Sequence, residues 1–135
     1  MSGLNLSKVA FGCPSIDVLR QRQRSRVSDG EVPVSTRFRP KRADELVGGS
    51  LYWIIRHQLI ARQSILGFAD AEAGHRTIIR LDARLIPVRA WPRRAHQGWR
   101  YLVAADAPPD FGSGAESLDE LPEELLSELA ALALV

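Results

Sequence analysis

Arginine interleaved with aromatic residues between positions 91 and 101 is the pattern in this sequence that most suggests a chemistry. Guanidinium groups bind phosphates through paired hydrogen bonds, and exposed aromatic rings stack on unpaired bases. We therefore predict a nucleic-acid-binding surface with arginines on the phosphates and a tryptophan as the stacking platform. Its predicted residues are Trp91, Arg93, Arg94 and Arg100.

A second basic cluster surrounds Pro40, and we expect it to extend that surface. The cluster consists of Arg37, Arg39, Lys41 and Arg42. We include Arg39 and Arg42 in the predicted site. The alternative is that Trp91 and Trp99 are core residues, covered by arginine stems whose charges pair with the acidic C-terminal segment of the same chain.

The charge of the chain is divided along its length. Residues 1–102 hold all 18 Lys and Arg but 8 of the 16 Asp and Glu, a formal charge of +10, whereas residues 103–135 carry −8. Such a basic body either binds a polyanion or folds its own acidic segment against itself. Nucleic acid is therefore the expected partner class, and self-neutralisation is the competing interpretation.

Residues that could support catalysis or metal binding are sparse. The histidines His57, His75 and His96 are too far apart for a helical ligand pair, and Cys13 is the only cysteine. Gly48-Gly49-Ser50 lies between a predicted helix and a strand, the reverse of the order that phosphate-binding loops and nucleophile elbows need. We therefore predict no metal, no cofactor and no catalytic residues, with Cys13 as a nucleophile the remaining alternative.

Length and composition indicate one globular domain outside the membrane. The chain has 135 residues, of which 45% are hydrophobic and 25% charged, enough to bury a core. One cysteine excludes an intrachain disulfide and is typical of a reducing cytoplasm. No stretch approaches the roughly 20 apolar residues of a membrane helix, and the first eight residues do not resemble a signal peptide. We expect a cytoplasmic protein.

Alternating and β-branched segments predict seven short strands. They cover residues 4–11, 32–38, 50–56, 59–68, 77–81, 84–88 and 98–103. Helices are predicted over residues 16–26, after an N-cap at Ser15, and over residues 40–47, which Gly48-Gly49 ends. A third helix is predicted at residues 122–134, where leucines recur on one side, so that it docks on the body.

These elements predict an α+β fold in one domain, residues 1–135. It would comprise a basic body (1–103), a loop (104–121) and the C-terminal helix (122–134). We expect a mostly antiparallel sheet of five to seven short strands with about three helices. The middle of the chain could curl into a small barrel, which would be similar in architecture to RNA-binding pseudouridine-synthase-associated and ASCH-type domains.

Several motifs resemble those of a family of short alphaproteobacterial proteins, a domain of unknown function. They are PKRADEL (40–46), GGSLYW (48–53), QGWRYL (97–102), DAPPD (106–110) and LPEEL (121–125). The resemblance spans nearly the whole chain. It implies a single intracellular bacterial domain, and it brings no activity, cofactor or partner.

The sequence therefore predicts a small non-catalytic nucleic-acid-binding module, with RNA favoured over DNA. Two alternatives remain open: a small enzyme that acts on an anionic ligand, and a protein-interaction domain that uses the terminal helix. An apolar cleft with convergent polar groups and a perturbed acid or cysteine would favour the enzyme, and a flat arginine-lined face would favour the binding module.

Overall fold

The computed structural model describes residues 4–71 and 76–110. Within them the chain forms seven strands, two α-helices and a short 3₁₀ helix at Ala104–Asp106. The predicted C-terminal helix and most of the predicted loop lie outside the described residues. In chain order the elements are β1 Leu4–Val9, α1 Ile16–Arg24, β2 Glu31–Thr36, α2 Ala43–Leu46, β3 Ser50–Ile55, β4 Gln58–Asp70, β5 Thr77–Asp82, β6 Ile86–Pro92 and β7 Trp99–Val103.

All seven strands belong to one mixed sheet. The order is β2-β5-β4-β3-β1-β7, with β6 paired to β4. The strands β1 and β3 run parallel, and the other pairs are antiparallel. Parallel neighbours need a long crossover, which the chain supplies by passing through α1, β2 and α2 between them. The α+β prediction was wrong, because the described protein is mostly sheet with two short α-helices.

The predicted barrel was also wrong. The path of the sheet begins at β2 and ends at β7, and among the described residues these two strands do not pair with each other. A barrel requires the first and last strands to be joined through a closed ladder of hydrogen bonds. The architectural similarity to barrel-like RNA-binding domains therefore gives no support to an RNA partner.

The strand β4 holds the sheet together because it pairs with three neighbours. The first half of β4 pairs with both β3 and β6, and its second half pairs with β5. Register shifts interrupt each of these ladders, and such bulges bend a strand and increase its twist. Both faces of β3 are buried, as its apolar residues on both sides predict.

The helix α1 covers one face of the sheet. Ser15 is its N-cap, and the Ser15 side chain accepts a hydrogen bond from the backbone N–H of Val18. Ile16 and Leu19 join the larger of the two apolar clusters, together with Leu6, Leu51 and Trp53. No helix in residues 4–71 and 76–110 is long and apolar enough to cross a membrane.

The start of β3 passes very close to β1 at Gly49. A Cβ at this position would lie 2.2 Å from the carbonyl oxygen of Leu4, closer than real Cβ atoms approach. The side chain of Asn5 accepts a hydrogen bond of 2.9 Å from the backbone N–H of Ser50 in the same contact. Glycine is therefore required here for β1 and β3 to lie side by side.

Candidate nucleic-acid interface

Three of the predicted arginines line one open cavity. Arg93 and Arg94, from the connection after β6, and Arg100, from β7, surround a space of about 410 Å³ together with His96. We call this space the arginine cavity. The structure therefore brings Arg93, Arg94 and Arg100 together around one space, and their role in binding stays a prediction.

The turn between β3 and β4 holds this connection in place. It is a two-residue turn, Arg56-His57, and both residues have positive φ angles, 53° and 60°, as in the turns that suit antiparallel hairpins. The backbone N–H of Arg93 donates to the carbonyl oxygen of His57 at 2.8 Å. The backbone N–H of Ala95 donates to Nδ1 of the same histidine at 3.3 Å. These two hydrogen bonds therefore fix the backbone at Arg93 and Ala95, beside the arginine cavity, to the turn between β3 and β4.

His96 gives the arginine cavity a titratable group. Its Nε2 lies 3.0 Å from the Ser7 hydroxyl oxygen. Partial burial lowers the pKa of His96, and the positive charges of Arg100, Arg93 and Lys8 lower it further, although a hydrogen bond with the backbone of Gln97 opposes this. Ser7 is fully buried, so no substrate can reach its hydroxyl, and the pair is structural rather than a catalytic dyad.

Trp91 and Trp99 have different environments. Trp91 lies near the end of β6 opposite Leu59 and is 54% exposed. Trp99 is half-buried at the start of β7, and its indole N–H donates to the carbonyl oxygen of Phe38 at 2.9 Å. Its ring also meets that of Tyr101 edge to face, with centroids 5.0 Å apart. Trp91 is available to a ligand, whereas Trp99 is fixed within the fold.

Arg39 and Arg42 do not line the arginine cavity. Arg39 lies over the ring of Phe68 and 3.8 Å from a carboxylate oxygen of Asp70. Arg42 binds both carboxylate oxygens of Glu45, at 2.7 and 2.8 Å, and this hydrogen-bonded pair raises its pKa.

The position of Arg42 also separates it from Arg100. Its guanidinium lies 5.8 Å from the centroid of the Tyr101 ring. Because Arg100 and Tyr101 are consecutive in β7, their side chains point to opposite faces of the sheet. Arg42 and Arg100 are therefore on different faces, and the predicted continuation of one surface through Arg42 divides into two.

A second basic region, which the sequence analysis did not identify, lies on the face of Tyr101. Two adjoining cavities of about 230 and 490 Å³ share Lys8 and Ser35. We call them together the Lys8 groove. The smaller cavity has a mixed lining of apolar and polar side chains, among them Phe11, Leu19, Arg22, Gln23, Arg26, Val32 and Trp53. The larger is lined by Arg37, Phe38, Arg76 and Trp99.

Lys8 lies at the junction of the two cavities, between two tryptophans. It is in register with Trp53 of the parallel strand β3 and with Trp99 of the antiparallel strand β7. Burial lowers the pKa of Lys8, and the nearby charge of Arg76 lowers it further. Within residues 4–71 and 76–110 no carboxylate forms an ion pair with it. The sequence contains a signal for this site. Lys8 follows Leu4 and Leu6 at alternate positions of β1, so a charged residue stands on the same side of the strand as two apolar ones.

Cysteine chemistry is disfavoured by the surroundings of Cys13. The residue is buried, and burial raises the pKa of its thiol despite the opposing charge of Arg22. A thiol held in its neutral form is a poor nucleophile and a poor metal ligand. Among the described residues no three His, Cys, Asp or Glu side chains form a group that could hold a metal ion.

Comparison with known proteins gives a family and no activity. The model of a family described as "Protein of unknown function (DUF1489)" matches residues 6–135. No curated protein and no solved structure matches the chain. The family match confirms the resemblance to a domain of unknown function that the sequence motifs indicate. The chain therefore belongs to the DUF1489 family of proteins of unknown function.

Proposed function

We propose that this protein is a small non-catalytic module that binds single-stranded nucleic acid, with RNA preferred over DNA. The observation that carries the proposal is the charge of the arginine cavity. In the described part of the chain, Arg93, Arg94 and Arg100 form no ion pair with a carboxylate. They converge on one open space, where phosphate groups would supply the missing negative charge.

The acidic residues of the body strengthen this proposal by their positions. Among the described residues at least five carboxylates pair with arginines elsewhere, and the shortest of these ion pairs join Arg80 to Glu31 and Arg62 to Asp110. These acidic partners are Asp17, Glu31, Glu45, Asp70 and Asp110. These five described acids are therefore held by arginines outside the arginine cavity.

Trp91 supports a single-stranded ligand. Its ring is more than half exposed and lies two residues before Arg93, so one strand could contact both a base-stacking ring and a phosphate-binding guanidinium. Stacking on an aromatic ring needs an unpaired base, and every base has a face to stack. Unpaired segments are also the usual targets of proteins that recognise RNA. We therefore expect weak sequence preference and strong dependence on salt.

The test is binding of labelled single strands and duplexes over a salt series, followed by fluorescence anisotropy. Replacing Arg93 and Arg94 by glutamine removes two phosphate contacts, so the slope of log K against log salt should fall by about 1.4 units on a single strand. Trp91→Ala should weaken single-strand binding by about 1–3 kcal/mol and leave the melting temperature nearly unchanged.

The control is a variant with the same loss of charge outside both the arginine cavity and the cluster around Pro40, Arg24→Gln with Arg89→Gln. It should change affinity much less than the Arg93 and Arg94 pair does. RNA and DNA of one sequence, tested side by side, report the preference between them. A wild-type protein without salt-dependent affinity for either polymer at low ionic strength would overturn the proposal.

A further inference from the structure

We propose that the Lys8 groove binds a nucleoside monophosphate, either free or as the 5′-phosphorylated end of an RNA strand. The free-nucleotide form is independent of the function proposed above, and the RNA-end form rests on it. The proposal depends on the position of Lys8, on the cations and aromatic rings around the larger cavity, and on its size.

A lysine charge between two tryptophans on a buried side of a sheet lowers the stability of the fold unless a counterion or a ligand compensates it. Lys8 is half-buried, and Trp53 and Trp99 flank it in the two neighbouring strands. Among the described residues, the ammonium group of Lys8 lies over the ring of Phe11, whose centroid is 5.9 Å away. A contact with a ring does not neutralise the charge. The ammonium group therefore lacks a described counterion where the two cavities meet.

Two arginines add to the positive charge of the larger cavity. The side chain of Arg76 is oriented by a hydrogen bond of 2.8 Å from its Nε to the Ser35 hydroxyl. This bond uses the Nε–H and leaves the terminal nitrogens of the guanidinium for a ligand. Arg37 lines the same cavity. In residues 4–71 and 76–110 neither arginine has an ion-pair partner.

Three cations around one space match a dianion better than a monoanion. A phosphomonoester carries about −1.5 to −2 charges near neutral pH, whereas the phosphodiesters within a nucleic-acid strand carry one each. The groove is thus suited to a terminal phosphate, and its lining of Phe38 and Trp99 distinguishes it from the arginine cavity, whose lining includes no phenylalanine, tyrosine or tryptophan. Binding a dianion would also remove the repulsion with Arg76 that lowers the pKa of Lys8.

The rest of the larger cavity suits a flat ring. Phe38 is 67% exposed, and its ring lies under the Arg37 guanidinium at 5.6 Å. The hydrogen bond from the Trp99 indole to the Phe38 carbonyl fixes Trp99 in the lining of the same cavity. A volume of about 490 Å³ falls within the range of about 300–1,000 Å³ typical of small-molecule sites. The larger cavity is therefore wide enough for a base and its sugar beside the phosphate.

The first measurement is calorimetric titration of the full chain with AMP, adenosine and inorganic phosphate. AMP should bind at least about tenfold more tightly than either fragment, because it alone uses both the cations and the rings. Arg76→Gln and Lys8→Met should each weaken AMP binding by about 10- to 100-fold, the range for loss of a charged hydrogen bond. Arg24→Gln, an exposed position of α1 outside the groove, is the charge-matched control and should leave the affinity unchanged.

The second measurement compares one RNA strand with a 5′-phosphate and with a 5′-hydroxyl. If the groove takes strand ends, the phosphorylated strand should bind about tenfold more tightly, and Lys8→Met should abolish this difference. Arg76 is exposed, so Arg76→Gln serves as the second test if Lys8→Met does not fold. If AMP binds but the 5′-phosphate has no effect, the ligand is a free nucleotide.

Two results would overturn the proposal. One is that AMP binds no better than inorganic phosphate, which would reduce the groove to a general anion site. The other is that folded Lys8→Met and Arg76→Gln proteins keep the full AMP affinity. Loss of oligonucleotide binding with AMP binding intact would instead contradict only the function proposed for the arginine cavity.

Discussion

Gln63 and Lys8 are polar residues on the same side of the sheet, and both lie beside Trp53. They differ in whether the surrounding residues satisfy the polar group. Gln63 is fully buried and exchanges two hydrogen bonds with Gln23 of α1, at 2.8 and 2.7 Å. It also accepts from the Trp53 indole N–H at 2.8 Å and donates to the backbone carbonyl of Asp82 at 3.0 Å. Lys8, on the other side of that tryptophan, has a charge without a described counterion.

The difference separates a structural polar group from a candidate binding group. A buried amide lowers stability unless its donors and acceptors are satisfied, and Gln63 is satisfied by three different elements. Its contacts fix the position of α1 on β4. Lys8 is placed where its charge is unfavourable for the folded chain alone, and groups of this kind are typical of ligand sites. Substitutions at the two positions should therefore change stability in opposite directions.

The largest expected effect is at Gln63. Gln63→Leu keeps a side chain of similar size but leaves Gln23 and the Trp53 indole N–H without partners. Each orphaned buried group lowers stability by about 1–3 kcal/mol, so the free energy of unfolding should fall by about 2–4 kcal/mol in urea titrations. Gln21→Leu, on the exposed side of α1, is the matched control and should change it by less than about 0.5 kcal/mol. Equal effects at the two positions would mean that the buried network contributes nothing.

A smaller effect of opposite sign is expected at Lys8. Lys8→Met keeps the stem of the side chain and removes the poorly solvated charge and its repulsion with Arg76, so stability at neutral pH should rise by about 0.5–2 kcal/mol. Because the folded protein binds this proton more weakly than the unfolded chain, wild-type stability should increase as the pH rises towards the ordinary lysine value of 10.5.

The variant should lack that increase with pH. Melting curves of both proteins at a series of pH values measure the difference. A destabilised Lys8→Met protein with the wild-type pH dependence would show that the lysine stabilises the fold and would remove the contrast with Gln63.

Local sequence pattern predicted the strands well because alternation is a property of a few consecutive residues. Each of the seven predicted strands overlaps an observed one, and β3 is buried on both faces as its composition indicates. Pairing between distant strands has no such local signal. The parallel contact of β1 with β3 depends on a crossover of some forty residues and on the close approach at Gly49, so no short segment predicts it. The α+β class was wrong because the described residues form mostly sheet with two short α-helices.

The residues of the candidate site were likewise predictable only where they are close together along the chain. Arg93 and Arg94 are adjacent and Arg100 is near in sequence, so their proximity in one cavity needs little long-range information. Arg39 is paired with Asp70, a residue of another strand, which residue type alone cannot indicate. The Lys8 groove was missed because Arg37, Arg76 and Lys8 come together from separate segments, although the charge at the end of the apolar side of β1 was a signal.

The smallest expected effect concerns His96, whose pKa is lowered mainly by partial burial and further by the nearby basic groups. Because its pKa is lowered from 6.5, the unfolded chain takes up this proton more readily than the folded protein. Stability should therefore fall as the pH drops below about 6.5, by no more than about 1 kcal/mol for this partly exposed group. His96→Gln should remove that part of the decrease, as measured by urea titrations at pH values on either side of 6.5.

Nucleic acid in the arginine cavity should reverse this dependence. Phosphates between Arg93 and Arg100 would offset the positive field and favour protonated His96, so single-strand affinity should increase as the pH falls through the histidine range. His96→Gln should keep its affinity at neutral pH and lose the increase in acid. If affinity has the same pH dependence in both proteins, the phosphates do not lie beside His96, and the strand must follow a different path across the sheet edge.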